Sequence, residues 1–283
     1  STSRRQRQMC IRDRYGIIQP RVVVLPPSAE RRSIPAVLAN RFDVNLTTPA
    51  ISNVYQDFFG EGQYVGKALY SVDIFEAALE GRIPENRLLS HDLLEGMYVR
   101  PGLASEIKIY DSAESHYEAA TKRQHRWTRG DWQVLPWLLP RVREENGKRV
   151  ANVLPLIARW QIVDTLRRSL MPLALVLWLL AGWTILPGSP LIWTVLVVLT
   201  LGISFSFSSA TNFLAMVNRT PPSKSIKAIK ELARVCAKQI VATCIQLLIS
   251  FTFVAHHCYL ISDAIGRTLY RRFISHRRLL EWI

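Results

Sequence analysis

The sequence predicts a mixed α/β body followed by membrane α-helices, and three observations carry that reading. Residues 15–150 alternate short β-branched runs with helical patterns. From Ser169 to Asn218 there is no Asp, Glu, Lys, Arg or His, a stretch long enough for two membrane crossings. Base outweighs acid, with Lys+Arg 36 against Asp+Glu 22 and a net charge of +14. A soluble nucleic-acid-binding protein would not carry the uncharged stretch, so no nucleic acid is expected as a partner. The basic excess reads instead as the flanks of membrane segments plus a site that handles phosphate. Cys10, Cys236, Cys244 and Cys258 lack metal-ligand spacing and read as structural.

Residues 1–14 have no periodicity and no apolar core of a signal peptide, and are expected to be a non-native leader. "YGIIQPRVVVLPP" reads as a strand stopped by its proline pair. The following residues mix short helix with turns and end in the aromatic, glycine-rich loop "FFGEGQYVGKAL". "SVDIFEAALEGRIPENR" is a helix with Val72, Phe75 and Leu79 on one face, stopped by Gly81. "LLSHDLLEGMYV" runs from loop into a helical turn, and "SEIKIYDS" alternates as a half-buried strand does. "SHYEAATKRQHRWTRGDWQVLPWLL" is helical until Pro136 or Pro140, and "RVREENGKR" is a solvated turn.

Residues 151–168 follow as a basic amphipathic helix, with Val153, Leu156, Ile157, Trp160 and Val163 in one apolar stripe and Arg159, Asp164 and Arg167 off it. Such a helix beside membrane segments is expected to lie in the interface, on membrane lipids. The membrane region, 169–262, holds apolar runs at about Leu170–Leu186, Leu191–Leu214 and Gln239–Ile261, the first two hinged at "PGSP". Residues 263–283 form a basic segment expected in the cytoplasm. Three full crossings would place that segment outside, against the positive-inside rule. Re-entry of the third run, a further span elsewhere, or a failure of the rule would each resolve the conflict.

Two motifs carry the chemistry, His91-Asp92 and Arg123-Gln124-His125-Arg126-Trp127. Glycosyl transfer from a sugar nucleotide needs a base, cations for the leaving diphosphate and a surface for the sugar. Asp92 at a loop–helix junction suits the base. Arg123 and Arg126 suit the diphosphate, because guanidinium groups bind phosphate oxygens in pairs. Trp127 offers an apolar face to a pyranose. On a helix Arg123, Arg126 and Trp127 share one face. Each also has a plainer reading. Asp92 can be a helix N-cap, the arginines lipid-facing, and Trp127 and Trp132 interface anchors. What favours chemistry is the order: carboxylate, strand, arginine-rich helix, interfacial helix, membrane segments.

That order resembles the membrane-integrated family-2-type glycosyltransferases, which include the cellulose and hyaluronan synthases. There an acidic motif ending in the base aspartate precedes "QxxRW". Here His91 stands before Asp92 where the broader family has Glu-Asp, and Arg123 replaces the first glutamine of the second motif. Those departures, with "VYQDFFGEGQYVGKALYSVDIFEAALEGRIPENRLLSHDLLEG", "HRWTRGDWQ" and "DAIGRTLYRRF", are similar to the glycosyltransferase domain of bacterial cyclic β-1,2-glucan synthases, from about Tyr15 to the C-terminus.

The resemblance implies the C-terminal part of a GT-A-like domain over 15–150, then the interfacial helix and two to three transmembrane or re-entrant helices. It implies transfer of glucose from UDP-glucose, with inversion, to a growing β-1,2-glucan acceptor chain later closed into a ring. Asp92 would be the base, and His91, Arg123, Gln124, Arg126 and Trp127 would bind substrate and diphosphate. Gly60, Glu61, Gly62, Tyr64 and Lys67 would line the acceptor site. A Mg2+ or Mn2+ cofactor would be held by a "DxD" motif expected upstream of this chain, with no metal ligands within it, so the chain alone is expected to be inactive. Further domains upstream and downstream of the same polypeptide are implied, as is the bacterial inner membrane with the catalytic part cytoplasmic. Another family-2-type polysaccharide synthase, or a non-catalytic membrane scaffold or transport subunit, stays open as an alternative.

Overall fold

In the computed structural model, which describes residues 15–25, 54–89, 92–112, 114–203 and 226–281, the predicted first strand is β1 (Ile17–Leu25). It lies in the middle of a sheet of order β2-β1-β3, antiparallel to β2 (Leu69–Tyr70) and parallel to β3 (Pro101–Ser112). The register breaks between Pro20, opposite Ala104, and Arg21, opposite Lys108. Proline has no N–H to give the ladder, so the irregularity falls where the sequence removes a donor. The expected half-burial of β3 is not seen. Its first residues are buried, but Ile107 and Ile109 are both exposed among the described residues.

Between the parallel strands come α1 (Val54–Phe59), α2 (Val72–Leu79) and α3 (Asp92–Val99). The predicted stop of α2 holds: Gly81 has φ 70°, a conformation open to glycine. At the end of α3, Arg100 turns left-handed at φ 62° while its N–H bonds Gly96 O at 2.9 Å, and the chain enters β3 directly. The arginine-rich helix is α4 (Tyr117–Gln133). It stops short of Pro136, which sits inside a following 3-10 turn, Leu135–Leu138. The segment read as a solvated turn is a small hairpin, β4 (Arg141–Arg143) paired with β5 (Arg149–Ala151) and reversed at Gly147, φ 79°.

The amphipathic helix is α5 (Leu156–Ser169), but its buried face is not the predicted stripe. Ala158, Ile162 and Leu166 pack into a core with Leu88, Leu94, Val134, Trp137, Val142 and Leu154. Val153, Leu156, Trp160 and Val163 are exposed. The helix therefore has two apolar faces, and Ala158, Ile162 and Leu166 make up the one inside the protein.

The chain divides into two compact units, one of residues up to Ser169 together with those from Ser262, the other Leu170–Ile261. In the second, α6 (Met171–Thr184) and α7 (Pro190–Ile203) occupy the first two apolar runs. At 14 residues α6 is about 21 Å long, short of the roughly 30 Å of a bilayer core. The second run was expected to reach Leu214, and its end lies outside the described residues. The third run belongs to α8 (Ile226–Tyr270), a helix of 45 residues that also takes up part of the basic connector. Its segment Thr243–Ser275, continued by a π-helical turn over Arg271–Ser275, is long and apolar enough to cross a membrane. Inside this unit Leu175, Leu179, Val197 and Val254 form a core, while Leu177, Leu180, Leu191, Leu199, Ile245 and Leu248 point outward. Helices apolar on both inner and outer faces suit a lipid surround.

Candidate active site

Asp92 is the first residue of α3 and is half-buried, a place where helix N–H dipoles favour a carboxylate. The loop 60–68 closes over it. Gly66 has φ 76°, a conformation that favours glycine, and a Cβ there would come within 2.7 Å of Asp92 Oδ2 and press on the carboxylate. Tyr64 lies against α3 where Gly96 leaves room: a Cβ on Gly96 would sit 2.7 Å from that of Tyr64. Burial, and then the negative charges of Asp92 and Glu95, push the Tyr64 phenol above its ordinary pKa, so it stays a protonated donor near the carboxylate.

This loop is held from below by Gln19, a buried amide on β1. Its Nε2 donates to Lys67 O at 2.9 Å and its Oε1 accepts from Val65 N at 3.1 Å. Gly62 N–H bonds Pro101 O at 2.7 Å, which ties the same loop to the start of β3. Gly60 turns the chain at φ 65°, and Glu61 faces Arg100 at 3.6 Å. Lys67 does not point to the carboxylate of Asp92; its ammonium pairs with Asp111 on β3. That hydrogen bond is the main reason the Asp111 carboxyl lies below its usual pKa, with Arg123 adding to the effect.

On α4 the predicted face exists. Arg123 and Arg126 are half-buried, Gln124 likewise, and Trp127 is exposed. The Arg123 guanidinium lies 4.9 Å from the Trp127 ring centre and 3.4 Å from Glu114 Oε1. A continuous path thus joins the two motifs: Asp92 against Gly66, Lys67 bonded to Asp111, Asp111 under the charge of Arg123, Arg123 over Trp127. His91 lies outside the described residues.

The buried positions of α4 were not singled out from the sequence. Thr121, His125, Thr128, Arg129 and Gln133 are all buried. His125 Nε2 is 2.9 Å from Asp263 Oδ2 near the end of α8. Burial lowers the His125 pKa despite that carboxylate, so the neutral ring donates to it. Arg129, 2% exposed, donates from Nη1 to Glu281 O at 2.8 Å and from Nη2 to Leu279 O at 3.1 Å. Gln133 donates to Leu279 O at 3.0 Å and accepts from Leu89 N at 2.6 Å. Leu89 belongs to "LLSHD", so this amide links the C-terminal segment to the loop that carries Asp92. The spacing of 125, 129 and 133 at one helical turn was the available signal.

No group of three or more His, Cys, Asp or Glu among the described residues could hold a metal ion.

No protein-family model matches the chain. Among curated proteins it is 39% identical, over 276 residues and 95% of its length, to the cyclic beta-(1,2)-glucan synthase NdvB of Rhizobium meliloti (strain 1021). The chain spans only 9% of that protein's length. A match of that level over nearly the whole chain makes this chain a relative of that cyclic β-(1,2)-glucan synthase.

Proposed function

We propose that the chain supplies the base and the diphosphate-binding face of a glucosyltransferase that extends a β-1,2-glucan from UDP-glucose. The observation that carries this reading is the seat of Gly66 against the Asp92 carboxylate. That contact, with the Lys67–Asp111 pair and the charge of Arg123 acting on Asp111, supports reading the loop as the acceptor site and Asp92 as the base. The Asp92 carboxylate takes the acceptor hydroxyl proton as that oxygen attacks C1 of the glucosyl unit. The bond from C1 to the diphosphate oxygen breaks on the opposite side, so the anomeric configuration inverts. The electron pair leaves with the diphosphate, whose charge Arg123 and Arg126 stabilise. Trp127 and the Tyr64 hydroxyl hold sugar. The body around these residues is read as the end of a GT-A-like domain, with ring closure left to other parts of the polypeptide.

The catalytic unit is placed on the cytoplasmic face of a bacterial inner membrane. The chain leaves this unit after Ser169 and rejoins it at Ser262. An even number of crossings between those points follows, so three full spans are not proposed. In the full protein, Asp92→Asn is expected to lower glucose transfer by about a thousandfold with UDP-glucose binding retained. Turnover within a few-fold of the original would remove Asp92 from the mechanism.

A further inference from the structure

We infer a second anion site in the catalytic unit, built by Arg87, Arg143 and Arg272 and suited to one phosphate oxyanion. The three side chains come from the loop before α3, the end of β4 and the π-helical turn after α8, and they line one cleft with Pro84, Pro136 and Trp137. No carboxylate lines it among the described residues. The Arg272 guanidinium lies over the Trp137 ring, 5.9 Å from its centre, while its Nη1 is buried with no hydrogen-bond partner among the described residues.

The neighbours of Arg272 show what is missing there. Arg271 pairs with Glu281 at 3.1 Å, and Arg278 meets the same carboxylate at 3.8 Å. Arg272 instead faces Arg87 and Arg143, each of which acts on it as a like charge. Converging guanidinium groups raise one another's energy, and a buried N–H without an acceptor adds to the cost. An aromatic face offsets little of either. A tetrahedral oxyanion removes both at once, since it neutralises the charges and offers several acceptors to planar donors. The cleft has a volume of about 30 Å3, too small for a sugar ring.

None of the residues assigned to glucosyl transfer lines this cleft, so the inference stands whether or not Asp92 is the base. Arg272 lies within the last turn of Thr243–Ser275, where the apolar sequence gives way to polar. A lipid phosphodiester and free inorganic phosphate share the required chemistry.

The test uses the full chain, purified in neutral detergent and stripped of lipid, beside the double variant Arg87→Gln/Arg143→Gln. Thermal unfolding is followed against inorganic phosphate, with chloride at matched ionic strength, and in micelles containing phosphatidylglycerol or phosphatidylcholine. Without anion, the double variant should melt no lower than the original chain, because repulsion is relieved. With anion, the original chain should gain several degrees in a saturable way, and the double variant should need at least about tenfold more anion. A response to phosphate alone assigns the site to free phosphate, and a response to phosphatidylglycerol alone assigns it to a headgroup. Responses to both assign it to the phosphate common to them. The site is overturned if neither anion shifts the original chain, if both proteins respond equally, or if the double variant melts lower without anion.

Discussion

The two faces of α4 make opposite use of the same residue types. Outward, Arg123 and Arg126 are half-buried and Trp127 is open. Inward, His125, Arg129 and Gln133 are buried, and each is fixed by a partner far along the chain. A half-exposed guanidinium keeps part of its hydration and can give it up to a ligand. A buried one depends on the protein for acceptors, as Arg129 does at Nη1 and Nη2, and each donor left unmet adds to its cost. One helix thus carries arginines in two environments, and what a guanidinium can do depends on what surrounds it.

The largest effect expected from breaking this contrast is on the outward face. Arg126→Lys keeps the charge but loses the paired donors, so kcat/KM should fall about 300-fold with thermal unfolding unchanged. Near-normal steady-state turnover would make Arg126 a lipid contact instead.

On the inward face the pattern should reverse. Arg129→Leu strands the carbonyls of Leu279 and Glu281 and should cost about 3 kcal/mol in denaturant unfolding. A variant as stable as the original would show that these bonds contribute nothing. Gln133→Leu is milder, about 2 kcal/mol, because the lost bonds are neutral. It carries a second signature, since Leu89 N loses its acceptor in the loop leading to Asp92. The expected loss is in kcat more than in KM, and Gln133→Glu, which retains an acceptor for Leu89, should recover part of it.

The smallest effect sharpens the comparison through pH. His125 has a folded pKa below the ordinary histidine value of 6.5, set by burial and opposed by Asp263, with Arg129 and Arg267 adding to the lowering. The unfolded chain then binds more protons below about pH 6.5, so stability present at neutral pH is lost as pH falls through the depressed folded value. Unfolding midpoints at pH 7.5 and 5.5 should differ more in the original chain than in His125→Gln. Equal differences would show that the ring does not titrate with folding.

Much of the fold was legible because its signals are local. The proline pair and β-branched run marked β1, Gly81 marked the end of α2, and the spacing of Arg123, Arg126 and Trp127 placed them on one face of α4. The apolar stretches stood out by composition. Where two local readings competed, sequence did not choose. Residues 153–163 offered a stripe of apolar side chains leading into α5, yet Ala158, Ile162 and Leu166 are the ones buried. Hydrophobic periodicity names a face without saying whether protein or lipid will cover it.

What the sequence determined by itself is the order of glycine-rich loop, carboxylate, strand and arginine-rich helix, and the residue types at each. What tertiary structure decided is which of them meet. Gly66 needed the position of α3 to show that a Cβ there would press on Asp92, and Lys67 turned to Asp111 because β3 runs beside the loop. Arg129 found its acceptors at Leu279 and Glu281, about 150 residues away. A 3.6-residue period acts within a helix, whereas a buried charge is satisfied only by whatever the rest of the chain brings within hydrogen-bond reach.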